Sequence, residues 1–344
     1  MTKKILSSLI CLTLLISLCG CGKKGEEQGE VEQAKEPEKQ LKIVNLKSKT
    51  RPYAVMINNN HAAWPQAGIQ DAYIVYEIVV EGGITRMMAL YKDDQTAKIG
   101  SIRSSRHYFL DYALENDAIY VHYGWSPQAQ YDISNLGVNN INGISESESS
   151  FWRVKDKRAP HNVATSTAKI LSIAERKGYK TTSTKESVLK YVTDEVELTD
   201  GQSAEKITIP YSYSNYVEYT YDATTKRYQR YSKGVKETDW STGENITTKN
   251  IIITFAKNSV LNDGENKDRQ TLSNVGTLNG YYITNGKAIK ITCEKTSRSA
   301  QTVYKDLDGN EIKVNDGNTY VQICPINAKV TIEGAEETVT EDVD

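Results

Sequence analysis

Three arginines (Arg86, Arg103 and Arg106) and four histidines (His61, His107, His122 and His161) are the side chains of this 344-residue chain best placed for chemistry. Two short runs carry most of them: Arg103-Ser104-Ser105-Arg106-His107 and His122-Tyr123-Gly124-Trp125-Ser126. Each run follows an apolar, strand-like stretch and precedes a helix signal. In a parallel α/β sheet, ligands sit at the carboxyl ends of strands, where helix N-termini leave N–H groups unpaired and favour an anion. A guanidinium adds a fork that matches phosphate or carboxylate. Arg103, Ser104, Arg106 and His122 are therefore candidate ligand-binding residues, and Arg86, Arg158 and His161 can close the same site. Plainer roles stay open: Arg103 and Arg106 can pair with Glu77, Glu81 or Asp111, and His122 can be a satisfied core histidine.

Catalytic residues are not assignable from spacing. The chain contains no G-x-S-x-G and no S-x-x-K set. It also lacks a Walker A or GxGxxG loop, so no nucleotide cofactor is indicated, and without HExxH or a close ligand pair no metal site is expected. With 42 basic against 44 acidic side chains, nothing supports nonspecific nucleic-acid binding, which needs a basic face.

Around these runs, residues 50–195 alternate strand and helix patterns. Strands are expected at Pro52–Ile57, Lys98–Ile102 and Ala118–Tyr123, with a hairpin of Tyr73–Val80 and Thr85–Tyr91 around Gly82-Gly83. Ser104 or Ser105 can cap a helix to Asn116. Ser126-Pro127 starts another that ends at Gly137, and a third spans Thr167–Lys177. That spacing predicts an α/β amino-terminal domain, a mixed sheet with parallel βαβ units. Residues 205–333 read as strands throughout, with turns at Asn285-Gly286, Asp308-Gly309 and Asp316-Gly317, which predicts a separate all-β carboxy-terminal domain.

The amino terminus reads as an export signal over residues 1–20. Lys3 and Lys4 precede an apolar run from Ile5 to Leu18, about 21 Å of helix against a roughly 30 Å bilayer core. Leu18-Cys19-Gly20-Cys21 resembles a lipobox, so cleavage before Cys21 and lipid on Cys21 would hold the protein at the outer face of the cytoplasmic membrane. Residues 21–49, rich in Glu, Lys and Gln, are expected to form a flexible tether, and 334–344 a disordered acidic tail. Two cysteines remain, Cys293 and Cys324. Outside the cytoplasm they can form a disulfide or stay as buried thiols, and the sequence leaves both open.

Several motifs resemble the YerB-type lipoproteins of Gram-positive bacteria, a family of unknown biochemical function. They are Arg51-Pro52-Tyr53-Ala54-Val55-Met56-Ile57, Glu81-Gly82-Gly83-Ile84-Thr85-Arg86, Ile102-Arg103-Ser104-Ser105-Arg106, Arg158-Ala159-Pro160-His161-Asn162 and Tyr228-Gln229-Arg230. Cys293 departs from the pattern, standing where a Trp is expected. The resemblance implies a two-domain lipoprotein and supplies no reaction. Three functions are in view: capture of an anionic cell-envelope ligand, a hydrolase or transferase on a phosphorylated or glycan substrate, and a non-catalytic scaffold for a surface protein partner.

Overall fold

Strands at the centre of the molecule are buried on both faces, which is why they read as continuous apolar runs rather than alternating ones. The structure, a computed structural model, describes residues 39–333 and 335–337. The signal segment, Cys21 and the first part of the expected tether lie outside the described residues. In chain order the main elements are β1 (Tyr53–Asn58), β2 (Ile74–Val79), β3 (Thr85–Tyr91), α1 (Phe109–Glu115), β4 (Ile119–His122), α2 (Pro127–Asn135), β5 (Asn140–Asn142) and α3 (Thr167–Arg176). There follow β6 (Lys206–Ser212), β7 (Asn215–Asp222), β8 (Arg227–Ser232), β9 (Asn250–Val260), β10 (Gln270–Ser273), β11 (Gly276–Thr284), β12 (Lys287–Lys295), β13 (Val303–Asp306), β14 (Thr319–Pro325), β15 (Val330–Ile332) and β16 (Ala335–Glu337).

One sheet runs β12-β11-β9-β14-β2-β3-β1-β4-β5, with β10 on β9 and β13 on β12. Its decisive joint is β14 beside β2: the two are parallel, with Ile74 opposite Thr319 and Ile78 opposite Ile323. The expected separate carboxy-terminal β domain is therefore corrected, because strands from both halves share one hydrogen-bonded sheet. The parallel βαβ expectation holds at β4-α2-β5, where Val121 pairs with Ile141. Ser126 caps α2 by accepting from Ala129 N–H, and Gly137 takes the left-handed backbone (φ 64°) that stops it. A second sheet, β8-β7-β6-β15-β16, covers one face of the first. Ile207, Ile209, Val217 and Tyr219 from it join Val55, Val75 and Ile251 in one core. Phe109, Leu110 and Ile133 of α1 and α2 pack with Met56, Met88 and Ile252 on the other face.

Other expectations change for local reasons. Residues 98–102 form no strand of the main sheet: Ile99–Gly100 pairs antiparallel with Val163–Thr165, and the segment meets β1 through a single bridge of Ile102 to Ile57. Neither Ser104 nor Ser105 caps α1, which begins at Phe109 after Tyr108 without a side-chain cap. Of the expected tether, residues 39–49 lie on the body: Lys42 and Ile43 N–H groups donate to Asp316, and Val44 is buried. Within the expected acidic tail, β16 pairs with β15. The disulfide alternative falls, since Cys293 and Cys324 are both free and buried. β11 and β9 lie between β12 and β14, so the cysteines stand about 14 Å apart at roughly 4.8 Å per strand, against a limit near 7 Å for Cα atoms in a disulfide. They also belong to different cores.

Arg230 on β8 crosses between the sheets fully buried. Its Nη2 lies 2.9 Å from Glu77 Oε2 on β2, and its Nε donates to Glu237 Oε2 at 3.0 Å. Nη1 donates to the Tyr219 hydroxyl, which also accepts from Gln322 of β14. Replacing Arg230 with Met would leave two carboxylates buried without their cation. The expected loss is about 3–5 kcal/mol, read from urea unfolding of the variant against the parent; a change below about 1 kcal/mol would refute the role.

Candidate functional site

Strands β1, β2, β4, β5, β9 and β14 all run in one direction, with β3 reversed between β2 and β1. Their carboxyl ends form a single rim. On it lie Asn58 at the end of β1, the turn Glu81–Gly83 after β2, and His122–Ser126 at and beyond the end of β4. The run Ile102–Ser105 inserts where β1 and β4 part. Arg103 N–H donates to Met56 O at 2.9 Å, Tyr123 N–H donates to Arg103 O at 3.0 Å, and Ser105 N–H donates to Gly124 O at 2.9 Å. Arg103 and its neighbours thus reach the expected rim by bridging two strand ends, not by extending a strand of their own.

The rim gathers three guanidiniums. Arg86, opposite Asn58 in the β1–β3 register, is buried, and its Nη1 donates to Ser104 O. Burial first, then the charge of Arg106, pushes Arg86 down to about 9, with Glu81 opposing. A guanidinium keeps its proton near neutrality, so this is a cost carried by the folded chain. Arg103 is lowered too, by burial and by Arg106. Its guanidinium makes no hydrogen bond or ion pair among the described residues. Arg106 takes Glu81 bidentately, Nε to Oε1 and Nη2 to Oε2 at 3.0 Å, and Nη1 donates to Ser105 O. Burial works against the ionised Glu81, but the Arg106 bonds and charge win and hold its carboxyl below the usual range. One carboxylate therefore stands against three cations.

His161 borders the cluster. Its Nδ1 lies 2.9 Å from Asn58 Nδ2, an amide that can only donate, so the ring proton sits on Nε2. Burial and the charge of Arg103 both lower His161. Ser101 Oγ donates to His161 O, fixing that loop to the run before Arg103. The sequence reading missed Asn58 and Ser101, although the run Asn58-Asn59-Asn60 closing an apolar strand was a visible signal.

Other expected site residues lie elsewhere or are committed. His122 is a buried core histidine: its Nδ1–H donates to Gly124 O at 2.8 Å, and Nε2 packs 3.2 Å from the side-chain amide of Asn140. Ser104 Oγ donates to Tyr123 O at 3.1 Å. Arg158 is exposed on the loop before His161, and its contact there is through its carbonyl, which accepts from His161 N–H. Of the acidic partners considered, only Glu81 serves the cluster. Glu77 is held by Arg230, and Asp111 by Arg298. Glu77 and Glu81 are no acid–base pair, since one is buried under the second sheet and the other sits on the turn.

Residues 41–180 match the model described as "Protein of unknown function (DUF3048) N-terminal domain", and residues 207–321 match its C-terminal domain. The chain belongs to the DUF3048 family. It is 30% identical over 324 residues to "Putative lipoprotein YerB" of Bacillus subtilis (strain 168), covering 92% of this chain and 93% of that one. The crystal structure of the YerB protein from Bacillus subtilis is similar with a TM-score of 0.75, at 30% identity, over 85% of this chain and 99% of that one. The two parts that the family models match separately are the halves that share the large sheet. Among the described residues, no helix is long and apolar enough to cross a membrane.

Burial pushes His122 and His107 each down to about 4. The unfolded chain takes up protons near 6.5 that the folded chain refuses until about 4, so this part of the stability is lost as pH falls through that window. His122→Gln should flatten the decline in urea midpoint between pH 7 and pH 4.5 relative to the parent. An identical slope in both proteins would contradict the neutral, locked imidazole.

Proposed function

We propose that the chain is a membrane-anchored extracytoplasmic lipoprotein, lipidated at Cys21, that binds an anionic ligand of the cell envelope at the Arg86–Arg103–Arg106 cluster, with His161 at its border. The anchor reading rests on the Leu18–Cys21 pattern together with the name carried by the Bacillus subtilis relative. Replacing Cys21 with Ala should move the protein from the membrane fraction to the medium; retention in the membrane would refute it.

The ligand reading is carried by one observation: Arg103 stands in a partly buried group of like charges, and its guanidinium has no hydrogen-bond or ion-pair partner among the described residues. Holding three guanidiniums together beside a single carboxylate raises the energy of the ligand-free fold, and an anion with several oxygens would relieve it by charge-assisted hydrogen bonds. Binding is favoured over hydrolysis or transfer because Ser101 and Ser104 donate their hydroxyls to carbonyls and both His122 nitrogens are occupied. The scaffold reading loses its motive too, since Tyr211, Tyr219, Tyr228, Tyr281, Tyr282, Tyr304 and Tyr320 of the β-rich half are buried rather than displayed.

Thermal unfolding of residues 25–344, which retain the whole described body, would be followed in phosphate, pyrophosphate and simple carboxylates. At about 100 times its dissociation constant a bound anion adds about 2.7 kcal/mol, enough to raise the midpoint by a few degrees. Arg103→Ala should abolish that rise while leaving the ligand-free midpoint unchanged or higher. No rise with any of these anions would refute the anion site.

A further inference from the structure

We infer that the cleft next to the arginine cluster is the second half of the same ligand site and takes a neutral sugar ring joined to the anion, so that the ligand is a glycosyl phosphate. This rests on the anion reading above and names its substrate class. The cleft is an open cavity of about 530 Å³ at the carboxyl ends of β2, β9 and β14, on the rim that carries the cluster.

The two are neighbours through backbone alone. Glu81 meets Arg106 on one side of the β2–β3 turn, and Gly83, two residues on, lines the cleft on the other. Gly83 has φ +69°, and a Cβ there would come within 2.8 Å of Ser212, so the partition carries no side chain. A second tie joins the walls: His107, next to Arg106, has Nε2 3.3 Å from Thr271 Oγ1 on β10, the strand that also supplies Gln270 to the cleft.

The lining chemistry differs from that of the cluster. Asn258 and Asn327 offer neutral amides able to donate and accept, Gln270, whose Nε2 already donates to Asp268, offers its side-chain carbonyl, and Tyr211 adds an aromatic ring. Lys257 and Asp268 bring opposite charges that cancel, and the Asp268 carboxylate already accepts from Gly82 N–H. Just past Ser212, at the tip of the β6–β7 hairpin, Tyr213 is fully exposed with a relative accessibility of 107%. An exposed aromatic ring on the hairpin whose Ser212 approaches Gly83 of the cleft wall, amides within and three arginines one turn away suit a ring with C–H faces and hydroxyls that ends in a phosphate. A bare inorganic anion would leave the cleft unused.

The test is titration of residues 25–344 with inorganic phosphate, N-acetylglucosamine, N-acetylglucosamine 1-phosphate and a phosphodiester-linked glycan oligomer. The sugar phosphate should bind at least about tenfold more tightly than phosphate, a difference of about 1.4 kcal/mol. Asn258→Ala with Gln270→Ala, and separately Tyr213→Ala, should erase that advantage and leave phosphate affinity unchanged. Tyr213→Ala touches only an exposed tip, so it reports even where the cleft pair unfolds. Arg103→Ala should lose both ligands. Tighter binding of the oligomer than the monomer supports the inference and names a polymer as the source; equal binding supports it with a single sugar phosphate. A sugar phosphate no tighter than phosphate, or an advantage that survives both cleft variants, overturns the inference while phosphate binding keeps the anion site. Loss of all anion binding in the parent overturns both.

Discussion

The buried contact of Arg230 with Glu77 and Glu237 is the constraint on which the rest depends. A guanidinium with no solvent exposure must have carboxylate partners beside it, because removing either side leaves a bare charge in the interior. Glu77 lies on β2 at the middle of the large sheet and Arg230 on β8 of the small one, so this pairing sets how the two sheets meet. The surrounding hydroxyls and amides of Tyr219, Gln322, Tyr211, Asn59 and Thr85 close the network around it.

The same arrangement recurs at two further points. Lys295 of β12 donates to the buried Glu115 of α1 at 2.7 Å, where Thr302 also donates. Arg298, just beyond β12, takes Asp111 of α1 and Asp132 of α2 and donates to His107 O. In each case a cation from the carboxy-terminal half is matched to a carboxylate from the amino-terminal half. The halves are thus bound by charge as well as by the β2–β14 ladder. A consequence follows for the rim: Glu77 and Asp111, which could have neutralised Arg103 and Arg106, are already occupied. Glu81 alone remains, and the cluster keeps its excess positive charge.

Much of the local architecture was legible because it depends on neighbours in the chain. The β2–β3 hairpin, the Ser126-Pro127 start and Gly137 stop of α2, and the all-strand character beyond residue 205 follow from turn and cap chemistry and from periodicity. Reading failed where a partner distant in sequence decides. Ser104 and Ser105 resemble helix caps, yet the run Ile102–Ser105 is drawn into the gap between β1 and β4 by backbone hydrogen bonds. His122 looked chemically available, but Gly124 O and the Asn140 side-chain amide occupy it. Cys293 and Cys324 looked pairable until the strand order placed two strands between them.

What the sequence by itself determined is the membership of this chain in its family, the kinds of element it forms, and the short motifs that carry Arg86, Arg103, Arg106 and His161. Those are matters of residue type and short spacing, which survive any packing. Only the tertiary structure decided that both halves share one sheet, that the rim lies at its carboxyl ends, and which carboxylates are left to the arginines. Those outcomes depend on contacts between residues more than a hundred positions apart, such as Glu77 with Arg230 and Asp111 with Arg298. A guanidinium pairs with the carboxylate that the fold delivers, and spacing along the chain cannot say which one that will be.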